Sequence, residues 1–124
     1  MPISGNKKVL AVLDDLFFMV KINESAKRAG LPVQFVKTET DLLEQAKTHP
    51  ALIIFDLNYQ GVDVLKLVEA LKADADTKSI SLLGYLSHVQ GELKLKAQQA
   101  GCNAVLPRSS FSQNLPQILK RHAE

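Results

Sequence analysis

Residues 9–15 read Val-Leu-Ala-Val-Leu-Asp-Asp, a continuous apolar, β-leaning run closed by two carboxylates. Such a run predicts a strand buried on both faces, here Lys7 to Leu13. The same pattern returns three times: Ala51 to Phe55 is closed by Asp56, Leu82 to Leu86 by Ser87, and Ala104 to Pro107 by Arg108. If these runs are parallel strands of one sheet, every closing residue stands at the strands' carboxyl ends, the edge where open α/β folds hold ligands. Asp14, Asp15, Asp56, Ser87 and Arg108 would then face one another. Three carboxylates, a hydroxyl and a guanidinium suit a small hard cation and a phosphoryl group.

Between these runs the apolar period changes from strand to helix. Leu16 to Ala29 reads as a helix with Val20, Ala26 and Ala29 among its inward residues and Gly30 as its stop. Leu31-Pro32 is a turn, and Val33 to Lys37 alternates as a second strand. Thr38 or Thr40 caps a helix running through Lys47, which His49-Pro50 ends. Val64, Leu65, Val68 and Leu71 fall at helical spacing before the polar stretch Ala73 to Lys78. Ile80 to Leu86 is the fourth strand. Leu93, Ala97 and Ala100 mark a helix ended by Gly101, Asn103 to Leu106 the fifth strand, and Phe111, Leu115, Ile118 and Leu119 one face of a terminal helix.

Strict βα alternation with short connections predicts a doubly wound, five-stranded parallel sheet in the order 2-1-3-4-5, with helices on both faces and right-handed crossovers. The strand order reverses between strands 1 and 3, which end in the acidic pair and in Asp56. With 124 residues, 46% of them hydrophobic, the chain reads as one domain, 1–124, whose core needs neither disulfide nor metal support.

Lys and Arg number 15 against 13 Asp and Glu, a net charge of +2 with neither sign gathered into a block, so nucleic acid is not the default partner. The apolar run before Asp14 is too short for a membrane span or the core of a signal peptide, and the single Cys102 fits a reducing compartment. The expected location is cytoplasmic. Cys102 itself reads as a small buried hydrophobe.

Each site residue also has an ordinary structural role. Asp15 precedes a helix and Asp56 a turn-prone Leu-Asn-Tyr-Gln-Gly loop, positions where aspartate serves as a cap. Their joint placement on adjacent strand ends favours the ligand-binding reading. Mg²⁺ is the natural ion, since it takes a few carboxylates together with water and phosphate oxygens. Ser87 offers a hydrogen bond to a phosphoryl oxygen at Asp56, and with Gln90 also fits a capping box. Arg108 either neutralises a phosphoryl group or forms a standing ion pair with the aspartates. His49, His88 and His122 lack mutual ligand spacing, which argues against a transition metal. Tyr59 covers either the site or only its own loop. Phe17 and Phe18 cannot both point inward from adjacent helical positions, which hints at a contact surface.

Taken together, these residues resemble the response-regulator receiver domain, the chemotaxis-type phosphoacceptor of two-component signalling, over nearly the whole chain from Lys7 to about Arg121. The resemblance implies the flavodoxin-like three-layer sandwich. It also implies that Asp14 and Asp15 hold Mg²⁺ with Asp56 and the backbone carbonyl of Asn58, and that Asp56 accepts a phosphoryl group from a histidine kinase or phosphotransfer protein. Ser87 matches the switch hydroxyl. The domain would act on a downstream effector through the face of helix 4, strand 5 and helix 5, a face that also allows a homodimer. It would be no enzyme beyond self-phosphorylation and self-dephosphorylation at Asp56.

The departures matter too. Arg108 stands where the family has Lys, Ser109 where it has Pro, and Val105 where it has the Tyr or Phe of the aromatic switch, while the loop after Asp56 lacks the family's Met-Pro and Asp-Gly pairs. Arg keeps the charge but is bulkier and forked. These features define the rival reading, a pseudo-receiver that binds partners without phosphorylation, with Arg108 paired to Asp56 in a single fixed conformation. A flavin or nucleotide enzyme on this fold is disfavoured, because bare carboxylates rather than a Gly-rich loop of donors follow strand 1.

Overall fold

A computed structural model of the chain describes residues 7–87 and 90–124, so His88 lies outside the described residues. Five strands and five helices alternate: β1 Val9–Val12, α1 Leu16–Ala29, β2 Val33–Phe35, α2 Glu39–Ala46, β3 Leu52–Asp56, α3 Val64–Ala73, β4 Ser81–Leu86, α4 Gly91–Ala100, β5 Ala104–Pro107 and α5 Arg108–Ala123. The strands form one parallel sheet in the order β2-β1-β3-β4-β5, as the alternation predicts. Boundaries differ from the sequence reading by a residue or two at most ends. One difference has chemical weight: Asp56 is the last residue of β3 and Arg108 the first of α5, so neither lies on a free loop.

The period-2 alternation of the strands sorts the core into two layers. Leu10, Val12, Ile53, Phe55, Leu82, Leu86 and Val105 face one side and pack with Leu42, Leu67, Val68, Leu71 and Ala97 of α2, α3 and α4. Val9, Ala11, Leu52, Ile54, Leu83 and Tyr85 face the other and pack with Phe18, Ile22, Ala26, Phe111, Leu115 and Leu119 of α1 and α5. All residues of β1 and β3 are buried, as expected for central parallel strands.

The register places Val12 beside Phe55, and Asp56 beside Tyr85, so β1, β3 and β4 end together. Asp15 caps α1, its Oδ1 accepting the Phe18 N–H at 3.3 Å, and Gly30 ends the helix in the left-handed conformation at φ 75°. Thr38, not Thr40, caps α2 through a 3.1 Å bond from the Asp41 N–H. The inward face of α1 is set by Phe18, Ile22, Ser25 and Ala26. Val20 lies two residues from both Phe18 and Ile22 and therefore on the far side of the helix, which corrects its reading as a core residue.

Candidate phosphoacceptor site

Asp56 is the centre of the carboxyl edge. It is 6% exposed, because it belongs to β3 and the chain after it turns back over the sheet. The Leu57 N–H donates to the Tyr85 carbonyl at 3.0 Å, extending the β3–β4 ladder one residue beyond Asp56. The Asn58 N–H then donates to Asp56 Oδ1 at 2.9 Å and the Tyr59 N–H to the Asp56 carbonyl at 3.0 Å, a side-chain-braced turn. Burial holds the Asp56 carboxyl above its ordinary pKa. The Asn58 hydrogen bond and the Arg108 charge oppose that rise, and the Asp14 and Asp15 charges reinforce it. Asp56 thus lies within electrostatic reach of all three charged residues read from the sequence.

Arg108 is held by Asp15 and two aromatic rings. Its Nη2 donates to Asp15 Oδ2 at 2.6 Å, while the guanidinium carbon lies 5.1 Å from the centre of the Phe18 ring and 5.9 Å from that of Tyr85. The standing ion pair is therefore with Asp15, not with Asp56. The reason is local: Phe18 and Asp15 share the first turn of α1, so a guanidinium resting on that ring is presented to Asp15. The acceptor atom Asp56 Oδ1 faces the Asn58 N–H instead.

Beneath Arg108 is a cluster that the sequence reading missed. Tyr85 is fully buried, stacks on Phe111 at 4.6 Å between ring centres and meets Phe18 at 5.0 Å. Its hydroxyl has no hydrogen-bond partner. Burial, then the Asp56 charge, raises its pKa far above that of a free tyrosine. A tyrosine inside a strand buried on both faces is the only signal that could have found it, since nothing nearby in sequence supplies a partner for the hydroxyl.

Ser87 follows β4 and its backbone N–H donates to Gln90 Oε1 at 3.1 Å, while the Gln90 N–H donates to the Ser87 carbonyl at 3.1 Å. These bonds close a turn ahead of α4 rather than a capping box, because the N-cap of α4 is Gln90 and it makes no side-chain cap bond. Val105 is buried within β5 and leaves no aromatic group at that position. Tyr59 donates to the Lys37 carbonyl at 3.2 Å and packs on the core below, so it braces its own loop. His49 occupies a turn at φ 61°, and His122 Nδ1 lies 2.8 Å from the Ile118 carbonyl at the end of α5. Cys102 is buried and its thiol is pushed up to about 11, which makes it inert.

The donors at this edge are those a hard divalent cation takes, and two of them are engaged with protein groups in this structure. Asp15 uses one oxygen for the Phe18 N–H and the other for Arg108. The Asn58 carbonyl accepts from Gln60 Nε2 at 3.4 Å. Among the described residues, no three His, Cys, Asp or Glu side chains close on one point. Arg108 supplies the positive charge that the cluster would otherwise draw from an ion.

No protein-family model and no curated protein matches the chain. Solved structures do. The response regulator of Hahella chejuensis superposes with a TM-score of 0.81 at 19% identity, over 94% of this chain and 94% of that one. The chemotaxis response regulator CheY4 of Vibrio cholerae gives 0.78 at 22% identity, over 94% and 98%. The receiver domain of the sensor histidine kinase PA1611 of Pseudomonas aeruginosa, which has a magnesium ion coordinated in its active-site cleft, gives 0.78 at 18% identity, over 94% and 97%. The chain has the fold of these receivers. Among the described residues no helix is long and apolar enough to cross a membrane.

Proposed function

We propose that this receiver-fold domain, residues 1–124, works in two-component signalling by accepting a phosphoryl group on Asp56. The observation that supports the reading best is the position of Asp56: a buried carboxylate ending the central strand, within the electrostatic field of Asp14, Asp15 and Arg108. In the transfer, an Asp56 carboxylate oxygen bonds to phosphorus as the bond from phosphorus to the donor's histidine nitrogen breaks. The electron pair of that bond stays on the imidazole, which then takes up a proton. Burial desolvates the attacking carboxylate, and on this reading Ser87 and Arg108 would take the added negative charge once Arg108 leaves Asp15. Magnesium would draw on Asp14, Asp15, Asp56 and the Asn58 carbonyl, and Asp15 would first have to part from Arg108.

The donor is a histidine kinase or phosphotransfer protein, and the message passes to an effector through α4, β5 and α5, where Leu95 presents apolar surface. Ser87 links Asp56 to that face because it joins β4 to α4. The setting is cytoplasmic, and the only chemistry is self-phosphorylation and self-dephosphorylation at Asp56. Acetyl phosphate with magnesium tests the reading: one phosphoryl mass should appear on the wild type and be absent from Asp56→Asn. Equal labelling of both, or of neither, defeats it.

One observation favours a second reading, the phosphorylation-independent interaction module. The Arg108–Asp15 bond ties the first turn of α5 to that of α1 and leaves both Asp15 oxygens engaged. A chain that acetyl phosphate never labels, and whose partner binds Asp56→Asn and wild type equally, would be such a module.

A further inference from the structure

Among the described residues four large apolar side chains are exposed, and three of them, Leu16 at 73%, Phe17 at 68% and Val20 at 52%, share the outer face of α1. The fourth, Leu95, is alone on α4. The three line a hollow of about 520 Å³ whose floor continues over Lys21 to Glu24. Glu24 also borders a second shallow hollow with Lys27 and Arg28, further along the helix. Phe17 does not fold back into the core; it meets the buried Phe18 ring edge-on at 5.5 Å and stays in solvent.

The two ends of this face carry opposite charges, with Lys21 and Glu24 between them. Asp14 is exposed at its amino end, and Lys27 and Arg28 are exposed in the last turn of α1 at its carboxyl end. At about 1.5 Å per residue the two ends are roughly 20 Å apart, with Val20 midway. A second α1 laid parallel would oppose like charges. Laid antiparallel about a two-fold axis near Val20, it sets Asp14 of each copy against the partner's Lys27 and Arg28 and closes the apolar centre on itself. A surface with opposite signs at its two ends is complementary to itself in this way.

We propose that the outer face of α1 is a self-docking surface and that its occupant is a second copy of this chain, paired antiparallel through Leu16, Phe17 and Val20. This differs from the α4-β5-α5 face, on which the family resemblance allows a homodimer. One helix face per partner is small, so the dimer is concentration-dependent, with a dissociation constant on the order of micromolar to millimolar. The pairing also brings two cations to the rim of the acidic edge, beside Asp14.

Sedimentation equilibrium of the full chain up to about 1 mM reads the association directly. The wild type should dimerise, Phe17→Asp and Val20→Asp should each weaken the dimer at least about tenfold, and Leu95→Asp should leave it unchanged. Asp14→Lys alone, and Lys27→Glu with Arg28→Glu, should each be monomeric because both contacts become repulsive. Their equimolar mixture should recover a heterodimer, which loss of folding could not produce. A wild type that stays monomeric throughout would overturn the proposal. So would a dimer that survives Phe17→Asp, a mixture that fails to associate, or a monomer that instead docks another protein's helix through Phe17.

Discussion

Arg108 Nη2 stands 2.6 Å from Asp15 Oδ2 with its guanidinium resting over the Phe18 ring, so the cation that begins α5 is committed to the helix that follows β1 rather than to Asp56. Asp15 consequently has two roles, capping α1 with Oδ1 and anchoring α5 with Oδ2. An acidic edge is tolerated here because its counter-charge is part of the chain.

Arg108→Ala should therefore separate stability from ion binding. Without metal the variant should be less stable by about 1 kcal/mol, since the pair is partly exposed and its cation–π contact modest. Asp15 Oδ2 becomes free and the three carboxylates lose their resident cation, so Mg²⁺ should bind at least about tenfold more tightly than to the wild type. Amide shifts during an Mg²⁺ titration should be confined to the loops of Asp14, Asp15 and Asp56. A variant that binds no tighter than the wild type would show that Arg108 does not compete for the site.

The pH dependence of Asp56 follows from its burial. Its folded pKa is raised above the ordinary 3.8 chiefly by desolvation, so the fold prefers the protonated carboxyl. That preference is fully present below pH 3.8 and is lost as pH rises through the folded value, so at neutral pH the ionised group destabilises the native state. Asp56→Asn keeps an oxygen for the Asn58 N–H and carries no charge. It should melt a few degrees above the wild type at pH 7, with the gap closing as pH falls toward that of the unperturbed carboxyl. A gap independent of pH would mean that Asp56 is not the group responsible.

Tyr85→Phe removes a hydroxyl that is buried without a partner while keeping the ring stacked between Phe18 and Phe111. The desolvation of that hydroxyl is recovered, so stability should rise by about 1 kcal/mol, read as a higher urea midpoint at unchanged slope. Tyr85→Ala should lose about 3–5 kcal/mol by emptying the stack. Destabilisation by Tyr85→Phe would reveal a hydrogen bond that the hydroxyl makes in solution.

The strand order was legible in the sequence because five strand-like runs with turn and cap residues between them admit few topologies, and four of the runs are closed by a polar residue. Asp14, Asp15 and Asp56 could be placed on one edge for the same reason. The direction of Arg108 could not. Position fixes where its α-carbon lies, but the choice between Asp15 and Asp56 depends on Phe18 and Tyr85, whose rings meet only through tertiary packing. Val20 misled because a β-branched apolar residue in a helix suggests core, and only the phase fixed by Phe18 and Ile22 turns it outward. That same outward turn is what leaves α1 with an unpartnered face.

Gly84 holds the turn that follows Asp56 in place by what it lacks. It pairs with Phe55 in the ladder, and a Cβ there would come within 2.9 Å of three carbons of the Leu57 side chain. Leu57 is buried directly after Asp56, so the whole side chain would have to move, not merely a flexible tip. Gly84→Ala should cost about 1–3 kcal/mol as an overpacked core. Adding Leu57→Ala should return part of that loss, because the truncated side chain makes room, and the double variant should be more stable than the sum of the singles predicts. Denaturant melts of the four proteins in the cycle measure the coupling. Strict additivity would place Leu57 elsewhere in solution and remove Gly84 as a determinant of the Asp56 turn.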